Sequence, residues 1–421
     1  MVHKSIQQYL SRYAEPNLPA PPEQGQRTYK WQWVVCIPCF NESSAFIEAL
    51  PKTANVLIIL VVNHPRGRDS GLNISLVESL PCEYPSLELG PHDRLITLDG
   101  DNRHILLVDR STNQPGFNPK QGVGLARKLA ADVALKWHVH GLIQSDWIAM
   151  TDADARLPET YFEALPEPKI DTPAVVYPFS HSQAESPEEQ LALALYEVKL
   201  HHYVAGLLHA KSPYAHHSIG SCMAIRAKAY AQVRGIPKRA AGEDFYLLNK
   251  TNKLGKIRTL GLTSTVMLSP RRSDRTPFGT GQGVNTLSDE ATPLNTQIFY
   301  PPRVFESLKG FLANVASGAQ TFDALTAALP EEAITALKTL GVESALAHCQ
   351  RHGPTPEQFQ RQLHLWFDGF RTLKFIHQLA PPKTGLLSFD EWSVQSGNAV
   401  LNPSEVSHKL RALCYQTLTD D

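Results

Sequence analysis

Apolar residues in this chain gather into short runs separated by turn residues, and the runs fall into two regimes. As far as about residue 270 they are four to eight residues long and rich in β-branched types. The clearest are Trp33-Val34-Val35-Cys36-Ile37 and the stretches 56–62, 104–109 and 147–150, with shorter ones at 175–178, 221–226 and 263–268. Unbroken apolar runs of this length read as strands buried on both faces of a sheet. Between them, helical spacing predicts helices over 43–50, 124–138, 187–209, 227–233 and 243–253. Strand, helix and strand in alternation is the opening of an α/β sheet, which 263–268 is expected to close. Pro38 is expected to stop the first strand. The stretch 64–103, rich in Pro, Gly and Asp, reads as an irregular excursion with a short hairpin at 95–98.

Residues 273–300 read as loop, and beyond them the pattern turns helical, over 303–317, 322–328, 330–340 and 358–378. In the last of these Leu363, Phe367, Phe370, Leu373 and Phe375 fall mostly on one face, as core packing requires. The chain thus divides into a lead-in (1–30), an α/β domain (31–285) and a helical C-terminal domain (300–421). In the lead-in Pro16, Pro19, Pro21 and Pro22 argue against a regular helix.

Composition sharpens this only at a few points. Of 421 residues 42% are hydrophobic, enough for a sizeable core and too many for global disorder. Forty basic against 41 acidic residues give a net charge of -1, so nucleic acid held by bulk positive charge is not an expected partner. A small anionic ligand held by a local constellation is compatible with it. Cys36 and Cys39 have CxxC spacing but no second close pair, which suits a strand end better than a zinc site. The longest apolar run, 56–62, is far too short to cross a bilayer. The expected location is the cytoplasm, with peripheral attachment to a membrane left open.

The chemistry-bearing residues cluster after strands. Asp152 and Asp154 directly follow the apolar run 147–150, at the carboxyl end of a strand, where an open α/β sheet presents ligands. Two carboxylates one residue apart can converge on a hard cation, Mg²⁺ or Mn²⁺, and such an ion can bridge to a diphosphate. Glu42 follows the first strand, placed either to accept hydrogen bonds from a ligand or to cap the next helix. Glu243 and Asp244 follow Gly242 at a helix start, where the macrodipole favours them. A carboxylate there can also serve as a proton acceptor, with its neighbour orienting it. Gly122 and Gly124 permit close backbone approach, and Arg127 and Lys128 beyond them could meet a phosphate or organise carboxylates. Arg271, Arg272 and Arg275 stand just past the last strand, as a solvated turn or as forks for a diphosphate or anionic acceptor on a lid. His216 and His217 read as a satisfied loop pair, with completion of a metal shell as the alternative.

Four of these segments, in order and spacing, resemble the family-2-type glycosyltransferases of GT-A fold. Ile37-Pro38-Cys39-Phe40-Asn41-Glu42 is similar to their IPxYNE opening, and Ile148 to Asp154 to their DxD strand. Gly220-Ser221-Cys222-Met223-Ala224-Ile225-Arg226 is similar to their GSNMAFR strand, and Ala241-Gly242-Glu243-Asp244 to their GED helix start. The resemblance covers about residues 31–270. It implies a mixed, mostly parallel GT-A sheet and a donor pocket lined by Pro38, Asn41, Glu42, Asn63, Arg127 and Asp152; Arg271, Arg272 and Arg275, just beyond the stretch it covers, are added as donor-binding candidates on their own chemistry. It further implies a metal on Asp152 and Asp154, and Asp244 as base. The family usually places an acidic residue at the end of the second strand; Asn63 and His64 stand there, which leaves the base open. The QxxRW motif of the family's processive polymerases is absent, so polymer synthesis coupled to export is not expected.

The resulting expectation is a metal-dependent hexosyl transfer from a nucleoside diphosphate sugar to a hydroxyl acceptor, small-molecule or lipid-linked. It would be inverting and non-processive, with the helical domain covering the acceptor side or forming a homodimer. The alternatives are a retaining GT-A transferase acting on a small anionic acceptor, a sugar-phosphate nucleotidyltransferase and a non-catalytic nucleotide-sugar binder. The nucleotidyltransferase would want a Gly-rich loop after strand one, which 38–42 lacks.

Overall fold

A computed structural model describes residues 3–23, 29–52, 55–100, 102–168, 170–271, 280–288, 293–382 and 384–415. The chain forms two compact units. One comprises 1–182 and 218–279 with the last five residues, the other 183–217 and 280–416.

In the first unit the strands are β1 (Trp33–Cys39), β2 (Val56–Asn63), β3 (Ser86–Gly90), β4 (Asp93–Asp99), β5 (Arg103–Arg110), β6 (Trp147–Met150), β7 (Ala174–Val176), β8 (Phe179–His181), β9 (Met223–Arg226), β10 (Arg258–Thr259) and β11 (Val266–Leu268). Nine of them form one mixed sheet in the order β10-β7-β9-β6-β1-β2-β5-β4-β3. Its centre, β6-β1-β2-β5, is parallel, and antiparallel pairs flank it on both sides. Every residue of β2 is buried, as a strand covered on both faces requires. This is the GT-A type of architecture: a mixed sheet with parallel centre, flanked by helices and followed by an all-helical extension.

The helices of this unit are α1 (Lys4–Arg12), α2 (Gly71–Glu83), α3 (Gly122–Val139), then α5 (Ala227–Gln232) and α6 (Glu243–Thr251). The intervening α4 (Pro187–His209) belongs to the second unit. There it joins α7 (Thr280–Ser288), α8 (Pro302–Ala316), α9 (Phe322–Thr326), α10 (Glu331–Thr339), α11 (Val342–His352), α12 (Pro356–Trp366), α13 (Gly369–Leu379), α14 (Phe389–Gln395) and α15 (Pro403–Cys414). Phe311, Phe359, Phe367 and Phe375 pack into one apolar core with Leu308, Leu337 and Leu363.

Several elements differ from the pattern reading. β1 runs through Pro38, which pairs with Val61 of β2. Pro38 lies two residues beyond Cys36, on the same side, and β6 pairing ends at Cys36, so the missing N–H costs no ladder bond. The 64–103 excursion holds a helix and two strands, because Leu76 and Leu80 supply a buried face and Pro81 falls in the last turn of α2. α1 forms ahead of the prolines, capped by the His3 side chain and anchored by buried Ile6 and Tyr9. β11 does not close the main sheet but pairs with β8 in a separate two-stranded ribbon. The 358–378 helix is two, α12 and α13, because Asp368 caps a new start by accepting from the Arg371 amide. α7 occupies part of the stretch expected to be loop.

Candidate functional site

The sheet order makes a crevice. β1 connects to β2 on one side and has β6 on the other, so chain paths diverge at the carboxyl ends of β1 and β6, which is a topological switch point. Glu42 follows β1 there, and Asp152 and Asp154 follow β6. β9 runs antiparallel to β6, with Met223 opposite Met150, so Gly220 just before β9 arrives beside Thr151.

Arg127, in the second turn of α3, ties these ends together. Its side chain is only 3% exposed. It donates to Asp152 Oδ1 at 2.9 Å, Glu243 Oε1 at 3.1 Å, the Gly220 carbonyl at 3.0 Å and the Thr151 carbonyl at 3.4 Å. Burial alone would push its guanidinium down, but Asp152 and Glu243 outweigh burial and hold it above its ordinary value. Gly124 lets α3 come this close: its N–H bonds the Arg239 carbonyl at 3.0 Å, and a Cβ there would lie 2.6 Å from the carbonyls of Pro237 and Arg239. Gly220 is similarly tight, since a Cβ would sit 2.6 Å from Arg127 Nη2. Lys128 turns away into a buried cluster with Asp132 and Tyr9.

Glu243 and Asp244 open α6 after Gly242, which holds a left-handed φ of 71°. Glu243 is buried against Arg127. Asp244 Oδ1 accepts from the Phe245 amide at 2.7 Å, and the side chain keeps partial exposure. Burial first, then Glu243, raise its carboxyl to about 7, against a pull downward from the Phe245 amide and Arg127.

On the other side of the crevice Arg271 bridges Glu42 Oε1 at 2.6 Å and Asp154 Oδ2 at 2.8 Å. Asp154 is pushed up to about 6, by its removal from bulk water first and then by Asp152, with Arg271 opposing. Arg272 and Arg275 lie outside the described residues.

Asn41 adopts a left-handed φ of 52°, which Asn tolerates better than most residues. Its N–H donates to Asn73 Oδ1 at 2.7 Å and its side chain to the Asp69 carbonyl at 3.0 Å. Pro38 is half-buried within β1. Asn63 is buried at the end of β2, where its carbonyl accepts from Asn73. His64 turns to Ser111 at 2.9 Å. Six of the expected residues therefore converge directly: Glu42, Asp154 and Arg271 in one set, Asp152, Arg127 and Glu243 in the other. Asp152 acts electrostatically on both Asp154 and Asp244.

The sequence reading missed Asn73. It is fully buried and ties the Asn41 amide, the Asn63 carbonyl and Ser111 Oγ into one assembly. It positions the loop that carries Glu42. The only hint was Ser70-Gly71 opening a helix inside a stretch that read as irregular.

The architecture is of the GT-A type, with carboxylates gathered at its switch point. No family model matches the chain, and no curated protein matches it in sequence. Among solved structures, it is similar to S. aureus TarS residues 1–349 in complex with UDP-GlcNAc, at 11% identity and a TM-score of 0.36, over 80% of this chain and 91% of that one. It is also similar to the mannosyltransferase PcManGT from Pyrobaculum calidifontis in complex with GDP-Man and Mn2+, at 17% identity and 0.35, over 89% and 94%. A third is GalNAc-T7 with UDP, GalNAc and Mn2+, at 12% identity and 0.35, over 74% and 55%. Scores of this size describe a loose likeness of chain path.

No helix among the described residues is long and apolar enough to cross a membrane. His217, expected to be a satisfied loop residue, lies in the helical unit with His201 and Cys414; these three donors could hold a divalent ion, with a ligand set unlike a DxD pair.

Proposed function

We propose that this protein is a glycosyltransferase that moves a hexosyl group from a nucleoside diphosphate sugar to a hydroxyl acceptor, with Mg²⁺ or Mn²⁺ held by Asp152 and Asp154. The observation that carries this reading is the convergence of Glu42, Asp152, Asp154, Glu243 and Asp244 on one switch point, ordered by Arg127. The donor set suits a hard divalent ion. Asp152 and Asp154 offer oxygens one residue apart, burial and then Asp152 raise Asp154, and a guanidinium already stands as counter-charge against Asp154 and Glu42. A divalent ion bound there supplies neutralisation of the charge that develops on a departing diphosphate.

The residues of the chain divide the remaining work. Arg127 fixes the Asp152 carboxylate and holds Glu243 beside Asp244 through one rigid fork. Glu42 and Arg271 line the side on which the nucleotide would lie, with Pro38, Asn41 and Asn63 shaping the wall behind them. Arg272 and Arg275 belong to the segment that follows Arg271. Asp244 is the candidate base: its carboxyl at about 7 can take a hydroxyl proton near neutral pH, and no salt bridge to its own oxygens among the described residues competes for it. A single candidate base supports inversion, and the absence of a QxxRW motif supports non-processive transfer.

The test is a panel of uridine and guanosine diphosphate hexoses with and without Mn²⁺ or Mg²⁺, read by thermal shift and by sugar release. One donor is expected to stabilise the protein only with metal and to be slowly hydrolysed. A panel in which no donor gives a metal-dependent shift would remove the basis of this reading.

A further inference from the structure

We propose that His201, His217 and Cys414 form a structural zinc site that pins the C-terminal helix α15 to α4 within the helical unit. It is independent of the carboxylate site, whose residues all lie in the other unit.

The three side chains come from separate places in the sequence. His201 stands in the middle of α4, His217 in the loop after it, and Cys414 is the last residue of α15. They are 0%, 5% and 6% exposed. One ligand atom from each lies within 4.8 Å of the others. His201 Nδ1 and His217 Nε2 face one another at 3.1 Å. With zinc–nitrogen bonds of about 2.0–2.1 Å, two imidazoles at tetrahedral corners stand about 3.3 Å apart, so this edge is already near its bound length.

The Cys414 thiol donates to the His201 backbone carbonyl at 3.4 Å, which holds Sγ within 4.8 Å of the imidazole ligand atoms. Two imidazoles with one thiol form a borderline-soft set that suits Zn²⁺ and not the hard ion expected at paired aspartates.

The outer surroundings point the same way. The far nitrogen of His217, Nδ1, meets the Tyr415 hydroxyl at 3.0 Å, and the two rings stack with centroids 5.2 Å apart. A hydrogen bond on the non-ligating nitrogen fixes ring and tautomer so that Nε2 presents its lone pair inward. Binding releases the Cys414 thiol proton to solvent, and the thiolate and both neutral imidazoles bond the ion. The link closes a segment of more than two hundred residues, since Cys414 lies 213 positions beyond His201. α15 also meets α4 through Ser407, which donates to Glu197 at 2.7 Å.

The experiment uses full-length protein purified without a metal-affinity tag, loaded with zinc, dialysed and assayed for bound metal. About one zinc per chain is expected in the wild type, in Asp154→Ala and in Cys349→Ala, the last of which removes another buried thiol of the same unit. Cys414→Ala and His217→Gln should hold none. Cobalt in place of zinc should give a thiolate charge-transfer band in the wild type that Cys414→Ala lacks. Zinc should raise the Tm of the wild type by several degrees and leave that of Cys414→Ala unchanged. A wild type that retains no zinc, or cobalt-loaded wild type without the thiolate band, overturns the proposal whether or not the variants fold. A Cys414→Ala protein that keeps a full equivalent overturns it as well, and would leave the trio as ordinary buried hydrogen-bonding groups.

Discussion

Replacing Asp244 by Asn separates the proposed base from every other role of that residue. The side chains are isosteric, and the Asn carbonyl oxygen can still accept the Phe245 amide that Asp244 Oδ1 accepts at 2.7 Å. Only the charge is lost. The Asp244 carboxyl is raised from 3.8 to about 7, by burial first and Glu243 second. The folded chain therefore binds this proton more tightly than the unfolded chain, so between about pH 4 and 7 wild-type stability falls as pH rises. Each tenfold change in proton affinity is about 1.4 kcal/mol, which sets a ceiling of about 4 kcal/mol on the strain at pH 8. Residual exposure of Asp244 to water brings the expected effect down to about 1–2 kcal/mol. D244N should accordingly match the wild type at pH 4 and exceed it by that amount at pH 8, a Tm rise of a few degrees. The assay is urea or thermal unfolding at both pH values, paired with donor binding and sugar transfer. Binding should survive, transfer should fall by at least about 100-fold, and wild-type kcat/KM should climb with pH through about 7. A stability gap that is the same at pH 4 and pH 8, or a D244N enzyme transferring at the wild-type rate, would refute the assignment.

Three further outcomes are expected. Asp154→Ala should abolish metal-dependent donor binding by calorimetry while leaving the fold intact, because Asp154 lies at the rim and its only described ion pair is with Arg271; normal metal-dependent binding would exclude it as a ligand. Arg127→Lys replaces a fork that reaches four acceptors with a single ammonium and should cost about 2–4 kcal/mol in urea unfolding, so a change below about 0.5 kcal/mol would show that the fork is not needed. Gly124→Ala drives a methyl group to 2.6 Å from two carbonyls; it should lower stability by at least about 2 kcal/mol and, by tilting α3, lower kcat more than donor affinity.

How far the sequence discloses the molecule depends on whether a feature is local. β2, β5 and β6 are continuous apolar runs, and a strand buried on both faces leaves no other trace. Asp152 and Asp154 are visible because charge follows such a run at once. What escapes the sequence depends on distant chain returning. α1 and α2 were hidden behind prolines that in fact fall outside or at the end of the helical turns. β11 was expected in the main sheet, yet its three residues find β8 instead, and no pattern of so few residues can choose between neighbours. The reach of Arg271 to Glu42 spans 229 positions, and that of Cys414 to His201 spans 213. Neither pairing has a signature in spacing. Asn73 was invisible for a related reason: one polar residue in a loop-like stretch gives no sign that three segments will close around it.

The charge balance of the crevice argues for the proposed chemistry more strongly than any single motif does. Five carboxylates, Glu42, Asp152, Asp154, Glu243 and Asp244, meet two guanidiniums, Arg127 and Arg271. Arg127 is deeply buried and fully engaged, so it is a fixed part of the scaffold. Arg271 is different. Its side chain is 38% exposed, and it holds Glu42 and Asp154 from the edge of a strand-end loop. Burial first, and then the neighbouring carboxylates, raise both Asp154 and Asp244 toward neutrality. Asp152 and Asp154 would hold a divalent cation, which would supply positive charge against a diphosphate, and Arg271 at the edge is a fork of the kind that suits one. An ordinary structural cluster gives no reason to gather five acids at the open end of a sheet, whereas a site that accepts a metal and an anionic donor together does.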